Sequence, residues 1–237
     1  MSFSGDIIVS KKKRRKMKYI EARISVELKK PVHFQQAPEL ISKFIKEAVD
    51  CSEKYDYVFS NLGRANDQGV FEYDGTISLR SFSQEFIDTA VKSLLEHENE
   101  NFKTKNIYTF TTSYQKINTL YTLNPAFVLI EDNIFWTFKS SGDFALLEKI
   151  ILQDLIAKYE RNFEDKIEDI DSFIKILNIK NEKPFSYMYE GKKYFGYKML
   201  INPKEDETSQ KLAFTAAACG IGHKNKEVGG GFSRILN

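Results

Sequence analysis

Residues 17–28 read MKYIEARISVEL, and apolar side chains occupy about every second position of this stretch. Such alternation is typical of a β-strand with one buried face. Pro31 ends the predicted strand, and Pro38 stands where the first turn of a helix tolerates proline. The apolar residues that follow have helical spacing: Leu40, Ile41, Phe44, Ile45, Ala48 and Val49. The chain is therefore predicted to begin its fold with a strand, a loop and a helix.

The next hundred residues extend this pattern. We predict strands over residues 55–62 and 70–82, the second with a break at Asp74-Gly75. Ser83 is a good N-cap for a helix whose apolar stripe runs to Leu95, and residues 102–123 have the composition of one or two strands. The resulting order, β-α-β-β-α-β, is that of a ferredoxin-like domain.

The second half of the chain roughly repeats the first. Asn124-Pro125 marks the predicted joint, and the following strands and helices come in a similar order. They are a hairpin over residues 126–138, a helix over 143–159, a strand over 170–179, an aromatic hairpin over 184–201, a helix over 207–219 and a strand over 232–236. We predict an α+β protein of two tandem ferredoxin-like, RRM-like domains with antiparallel sheets, over residues 17–123 and 124–237.

Composition narrows the class of protein. The 237 residues are 42% hydrophobic and 29% charged, which is globular and excludes wholesale disorder. A membrane-spanning helix is not expected, because the longest apolar runs fall far short of about 18 residues. Two cysteines, Cys51 and Cys219, cannot form a disulfide framework, so we expect a reducing, cytoplasmic location.

The net charge of +2 conceals an uneven distribution. Residues 1–18 hold seven Lys/Arg and one acid, so that the remaining chain, with 28 basic and 32 acidic residues, is slightly acidic. The leader over residues 1–16 is predicted to be either a disordered tail or a basic arm that contacts RNA. An anionic partner of the folded part would have to bind at a local patch.

One such patch is the glycine segment, residues 219–232, which holds five of the twelve glycines. Exposed amides in a glycine-rich loop can form a concavity that binds an anion. Alternatively, the glycines form a helix C-cap followed by a flexible hairpin. The spacing of the glycines excludes two other phosphate-binding motifs, the P-loop and the dinucleotide fingerprint. We predict contacts with the phosphate groups of an anionic partner from this segment at Gly220, Gly222, His223, Lys224, Lys226, Gly229, Gly230 and Gly231.

A second patch is the aromatic hairpin, where Lys192 and Lys193 follow Gly191 at the predicted tip. Basic residues between tyrosines suit phosphate contacts combined with base stacking, although a solvated tip over a tyrosine-rich sheet fits the same pattern. We add Lys198 and Arg80 as further candidate RNA contacts.

The chain resembles the CRISPR-associated RAMP endoribonucleases that process precursor CRISPR RNA. One stretch that carries the resemblance is YVFSNL at residues 57–62, followed after a turn by GTISLRSF at residues 75–82. The other is GIG at residues 220–222 with GGGF at residues 229–232, which is similar to that family's C-terminal glycine-rich loop. The resemblance covers about residues 17–237 and implies the tandem ferredoxin-like architecture.

The resemblance implies metal-independent, cofactor-independent cleavage of the CRISPR repeat. The 2′-hydroxyl attacks the adjacent phosphate and leaves a 2′,3′-cyclic phosphate, which requires a general base, a general acid and a cation. In the family a histidine in or just after the first helix commonly serves, but residues 43–56 contain none. His33 and Tyr55 are the candidate catalytic residues, and no histidine or cysteine spacing predicts a metal site.

The missing histidine leaves two functions open. The chain is expected to be a CRISPR repeat RNA-binding protein that is either an endoribonuclease or a catalytically impaired one. The alternative is a non-catalytic homologue, which acts as a subunit of an effector complex or as a decoy encoded by a mobile element. An unrelated ferredoxin-like protein that contacts RNA only through its leader is a third hypothesis.

Overall fold

The computed structural model describes residues 17–50, 52–167 and 170–236. The predicted leader, residues 1–16, lies outside the described residues. The elements of the first half are β1 (Lys18–Leu28), β2 (Val32–His33), α1 (Ala37–Ala48), β3 (Tyr57–Phe59), β4 (Val70–Phe71), β5 (Asp74–Ser81), α2 (Gln84–Leu95) and β6 (Phe102–Ser113). A short 3-10 turn, Ser52–Lys54, connects α1 to β3.

The first sheet has the strand order β3-β5-β1-β6, and all its pairs are antiparallel. This is the ferredoxin-like order that the sequence predicts. The alternation in residues 17–28 has the expected result, because Ile20, Ala22, Ile24 and Val26 are buried with α1 and α2 in one core. Ser83 caps α2 as predicted, since its side chain accepts a hydrogen bond from Phe86 N at 3.1 Å.

The second half forms a sheet of the same order, β10-β13-β7-β14. Its helices α3 and α4 contribute to a separate core. The elements of this half are β7 (Thr119–Thr122), β8 (Leu129–Glu131), β9 (Ile134–Phe135), α3 (Phe144–Phe163), β10 (Ile174–Ile179), β11 (Phe185–Tyr189), β12 (Lys192–Gly196), β13 (Met199–Pro203), α4 (Glu207–Cys219), α5 (Asn225–Val228) and β14 (Ser233–Leu236).

The strand β7 lies on the N-terminal side of the predicted joint at residues 124–125, yet it pairs with β13 and β14 in the second sheet. The reading of residues 102–123 as strand is confirmed, but β6 and β7 belong to different sheets. Strand propensity identifies extended segments but not their hydrogen-bonding partners. A domain boundary between β6 and β7 therefore fits the sheets better than one after residue 123.

The predicted aromatic hairpin separates into two parts, because β13 joins the second sheet while β11 and β12 pair only with each other. This β11–β12 hairpin packs across onto the first domain. Met188 N donates to Gln35 O at 3.3 Å, and Gln35 Nε2 donates to Ser186 Oγ at 3.1 Å. The hairpin thereby brings its lysines beside α1.

None of the described helices is both long enough and apolar enough to cross a membrane.

Candidate nucleic-acid interface

The glycine segment is packed between the two domains. Gly229 has a φ of +62°, and a Cβ there would collide with the carbonyl oxygen of Phe59. Asn124 lies beside it, with its Nδ2 donating to Phe59 O at 3.1 Å and to Gly229 O at 2.9 Å. Glycine at this position thus permits a close main-chain contact between the domains.

The amides of this segment are largely engaged within the protein, which departs from the exposed concavity that the sequence suggests. Gly220 N donates to Ala216 O at 2.9 Å, Gly230 N to Lys224 O at 3.0 Å and Gly231 N to Pro125 O at 2.8 Å. Gly222 is buried as well. The glycines shape the interface, and they do not present an open row of N–H groups to a phosphate.

Arg80, a predicted RNA contact, is also an interdomain residue. Its Nε donates to Glu21 Oε2 at 2.7 Å, and its Nη1 donates to Ser233 O at 2.6 Å and Ala217 O at 3.2 Å. The residue is only 9% exposed, and the Phe232 ring lies 4.2 Å from its guanidinium carbon. Arg80 is therefore buried between the domains, because the second domain covers this part of the first sheet.

A set of side chains that we call the lysine cluster lies where α1 ends. Lys46 Nζ is 2.9 Å from Glu53 Oε1, and Lys226 Nζ is 3.1 Å from Glu53 Oε2. Lys46 also donates to the hydroxyl of Tyr189 at 3.4 Å. The cluster joins α1, the turn after it, the hairpin and the glycine segment, and its members are Lys46, Glu53, Tyr189 and Lys226.

Lys46 carries a permanent charge in this environment. Burial acts to lower the pKa of Lys46, but the hydrogen bonds to Glu53 and Tyr189 outweigh it and raise the pKa above its ordinary value. Hydrogen bonds from Lys46 and Lys226 lower the pKa of Glu53, although burial opposes them. Lys46 can therefore stabilise an anion but cannot accept a proton as a general base.

A cleft of about 240 Å³ adjoins the lysine cluster, between α3, the glycine segment and the residues before β3. Two of its cations are engaged by acids. Lys158 Nζ is 2.6 Å from Asp154 Oδ2 and also donates to Gly220 O and Gly222 O, while Arg161 Nη2 is 3.0 Å from Asp56 Oδ1. We call this the charged cleft.

His223 lines the charged cleft, and its hydrogen bonding limits its chemistry. The ring Nδ1 accepts from Leu129 N at 3.1 Å, so the neutral ring carries its proton on Nε2. Burial lowers the pKa of His223, and the opposing effect of Asp154 is smaller. A neutral imidazole in this tautomer can donate a hydrogen bond to RNA, but it has no acceptor nitrogen left to act as a base.

The two catalytic candidates, His33 and Tyr55, occupy different places. His33 lies in β2, is half-buried, and accepts a hydrogen bond from Gln35 N at its Nδ1 at 3.3 Å. Tyr55 packs its ring against Phe86, with the ring centroids 5.3 Å apart. The His97 ring packs against Phe44 of α1, with the ring planes tilted by 39°. The three side chains lie on different elements: His33 is in the strand that pairs with β4, Tyr55 packs on Phe86 of α2, and His223 lines the charged cleft.

The predicted lysines differ in their exposure. Lys192 and Lys193 are exposed at the hairpin tip, whereas Lys198 is half-buried over the Phe185 ring, and burial lowers the pKa of Lys198. Lys224 lies 5.1 Å from the Tyr194 ring centroid and 3.4 Å from Glu227. Among the described residues, no group of three His, Cys, Asp or Glu side chains is placed to hold a metal ion.

Sequence reasoning did not identify Lys46, Glu53, Tyr189 or Arg161 as site residues. Lys46 and Arg161 are ordinary members of charged helix faces in the sequence, and the partners that distinguish them come from distant segments. The tyrosine-lysine interleaving of the hairpin was a usable signal for Tyr189, because it marked the segment that packs against α1.

Several solved structures share this architecture. A RAMP protein described as binding different RNA substrates superposes with a TM-score of 0.71 at 16% identity, covering 92% of this chain and 100% of its own. The fold is that of the Cas6-like RAMP proteins. A CRISPR-associated Cas6 gives a TM-score of 0.68 at 16% identity, with 92% of this chain and 100% of its own covered. A Cas6-related protein from Pyrococcus furiosus gives 0.67 at 17% identity, with 92% and 99% covered.

No protein-family model and no curated protein sequence matches the chain. At 16–17% identity the RAMP likeness establishes the fold, and the tandem ferredoxin-like architecture expected from the sequence is confirmed.

Proposed function

We propose that this RAMP-fold chain binds CRISPR repeat RNA and lacks histidine-based cleavage. The observation that carries the proposal is the lysine cluster: its members are two lysines, a glutamate and a tyrosine, and none of them is a histidine. The imidazole that does lie at the last turn of α1 belongs to His97, which packs on Phe44 and has its Nε2 3.5 Å from Glu47 Oε2. A set such as the lysine cluster holds a phosphate well, whereas the transfer of protons to and from an RNA backbone needs groups that titrate closer to neutral pH.

The surface around the cluster supports binding. Lys192 and Lys193 extend from the hairpin tip beside α1, and Lys224 and Lys226 follow along the edge of the charged cleft. Lysines contact phosphates without reading sequence, so they position the RNA and make its affinity depend on salt. Solved structures of similar fold include Cas6 complexes with a product and with a substrate mimic.

The weakness of the available acid–base groups supports the second part of the proposal. Lys46 stays protonated because its partners raise its pKa, and His223 has its Nδ1 occupied by Leu129 N. Loss of one general acid or base typically reduces a rate by about 10²–10⁴-fold. We therefore expect binding with little or no cleavage.

The test uses a labelled CRISPR repeat RNA and a scrambled RNA of equal length, both in EDTA. We expect tighter binding of the repeat, steep weakening with salt and no product in a single-turnover reaction. Lys46→Ala should weaken binding, with Lys92→Ala, on the other helix, as the matched control. A single cut with a 2′,3′-cyclic phosphate end would overturn the proposal of impaired catalysis, and equal weak binding of both RNAs would overturn repeat recognition.

His33 favours a second candidate, an active endoribonuclease with a relocated catalyst. Its ring is half-buried, and the segment after it bonds the hairpin through Gln35, which places His33 on the first domain's side of the lysine-bearing hairpin. On this reading the repeat is cut, His33→Ala abolishes the cut and His223→Ala retains it. Purification of the chain with effector subunits would favour a role within an effector complex, and inhibition of cleavage by a second RAMP protein would favour a decoy.

A further inference from the structure

The outer edge of β6 carries a feature that RNA binding does not explain. β6 is the edge strand of the first sheet, and no described strand pairs with its outer side. Residues 106–114 read NIYTFTTSY, a run without charge or proline. Natural edge strands are usually protected by lysine, proline or a bulge, because a bare edge pairs with other strands. β6 carries Lys103, Lys105 and a register shift opposite Ser25 and Val26 at its beginning, and none of these features continues beyond residue 106.

The register shows which main-chain groups point outward. Tyr114 N donates to Met17 O at 2.9 Å, and antiparallel pairs alternate between bonded and non-bonded, so residues 112, 110 and 108 also bond to β1. Residues 107, 109, 111 and 113 therefore direct their N–H and C=O groups away from the sheet. The bonding at the other edge of the sheet is consistent with this alternation. Ser60 N donates to Ser78 O at 2.8 Å, so the residues of β1 that bond to β5 alternate with those that bond to β6.

This part of the edge is also sterically open. α2 covers the beginning of β6, where Phe102 and Thr104 are buried. Beyond it, Thr109, Thr111 and Ser113 are exposed, because the strand extends past the helix. A second strand can approach the outward groups over this half of β6 without meeting α2.

We propose that β6 pairs in antiparallel fashion with β6 of a second copy, which joins the two first sheets into one. In the register that pairs Thr109 with Thr111 of the second copy, the outward residues form four bonded pairs and about eight main-chain hydrogen bonds. Phe110, 46% exposed, then meets its counterpart across the two-fold axis on the open face of the sheet. Aromatic pairs at such positions stabilise sheets.

Charge selects the antiparallel arrangement and a like partner. Lys103 and Lys105 lie at one end of β6 only, so a parallel pairing would oppose lysine to lysine. The antiparallel register instead places Lys105 opposite Gln115 of the second copy. An RNA stacking on Tyr108 and Phe110 is less favoured, because Arg23, the cation over Phe110, is already 2.7 Å from Glu21.

The test is the mass of the full chain in solution, free of RNA, over a dilution series in an analytical ultracentrifuge. We expect a dimer that dissociates on dilution. The variant with Thr109→Lys and Thr111→Lys opposes like charges at the two central pairs and should weaken dimerisation about tenfold or more. The matched control, Thr109→Glu with Thr111→Lys, opposes unlike charges and should dimerise as well as the wild type.

A second variant tests the main-chain edge directly. Thr111→Pro removes one outward donor and leaves the bond of the neighbouring residue to β1 in place, so it should give a monomer with unchanged circular dichroism. A monomeric wild type at every concentration overturns the proposal, as does a double-lysine variant that still dimerises. Where the wild type is monomeric, loss of RNA binding in Tyr108→Ala and Phe110→Ala would assign this face of the sheet to nucleic acid instead.

Discussion

Replacement of Arg80 by methionine distinguishes an interdomain role from an RNA contact. Methionine keeps much of the apolar length of the side chain but removes the charge-assisted bond to Glu21 and the two bonds to carbonyl groups of the second domain. Glu21 then remains buried, with its side chain 7% exposed. We expect the variant to lose stability while its exposed lysines remain able to bind RNA.

The magnitude follows from the pair that is broken. Removal of one partner of a buried ion pair costs about 3–5 kcal/mol. Arg23 and Ser78 still donate to Glu21, at 2.7 and 3.1 Å, so the lower end of that range applies. For a chain of 150–250 residues each kcal/mol changes the Tm by about 2–4 °C, which gives a decrease of about 6–12 °C.

The dependence on pH has a definite sign. Burial acts to raise the pKa of Glu21, but Arg80 and Arg23 outweigh it and lower the pKa below its ordinary value. Glu21 therefore contributes stability above its unfolded pKa, about 4.3, and this contribution is lost as the pH falls through the folded pKa. In Arg80→Met burial is opposed by Arg23 but no longer by Arg80, so the pKa of Glu21 rises relative to the wild type and the difference in stability between the two proteins should shrink as the pH decreases toward 4.

The assay is urea denaturation at several pH values, together with RNA affinity measured where each variant is folded. The double variant Glu21→Gln with Arg80→Met removes the uncompensated carboxylate and should recover part of the lost stability. Unchanged stability combined with a large loss of RNA affinity would refute the interdomain assignment and restore Arg80 as an RNA contact.

Three further predictions concern other parts of the interface. Gly229→Ala should lower the free energy of unfolding by more than about 2 kcal/mol, because a left-handed φ adds about 1–2 kcal/mol and the Cβ meets a carbonyl oxygen. The control is Gly191→Ala, where φ is +74° but the space around the residue is open. It should lower the free energy of unfolding by less in the same denaturation experiment. Burial lowers the pKa of His223, so the unfolded state takes up a proton at a higher pH than the folded state, and stability should fall as the pH drops below about 6.5. His223→Gln should remove this part of the pH dependence of the unfolding free energy. An identical pH profile for the variant would show that His223 is not its source. Lys192→Ala and Lys193→Ala should leave the Tm unchanged. In fluorescence anisotropy with single-stranded RNA, they should reduce the slope of log affinity against log salt concentration by about 0.7 for each phosphate that is no longer neutralised. An unchanged slope would exclude the hairpin tip from the RNA-binding surface.

The order of strands and helices was accessible from local patterns. The alternation in residues 17–28 and the helical stripe after Pro38 each depend on neighbours within a few residues, and the two sheets confirm the order that they predict. The partner of a strand is a different matter. β7 is extended in either reading, and only its bonds to β13 and β14 assign it to the second domain.

The candidate site was only partly accessible. Clusters of lysine and glycine marked the hairpin and the glycine segment. A glycine, however, can either expose its amide to an anion or permit the close approach of another main-chain segment. Gly229 shows the second use, because Phe59 O fills the space that a Cβ would need. Arg80 has the same ambiguity, since an arginine in a strand is equally suited to a phosphate and to a buried carboxylate.

The sequence by itself determined the tandem α+β order, the strand of residues 17–28, the capped helix after Ser83 and the absence of a histidine between residues 43 and 56. These properties are local, or are matters of composition, and folding does not alter them. The tertiary structure alone decided that Lys46 and Lys226 share Glu53, that Arg80 is closed off by the second domain, and that Nδ1 of His223 is occupied. Each of these depends on contacts between segments distant in the chain, and burial and hydrogen bonding at those contacts set the chemistry of a side chain more strongly than its identity does.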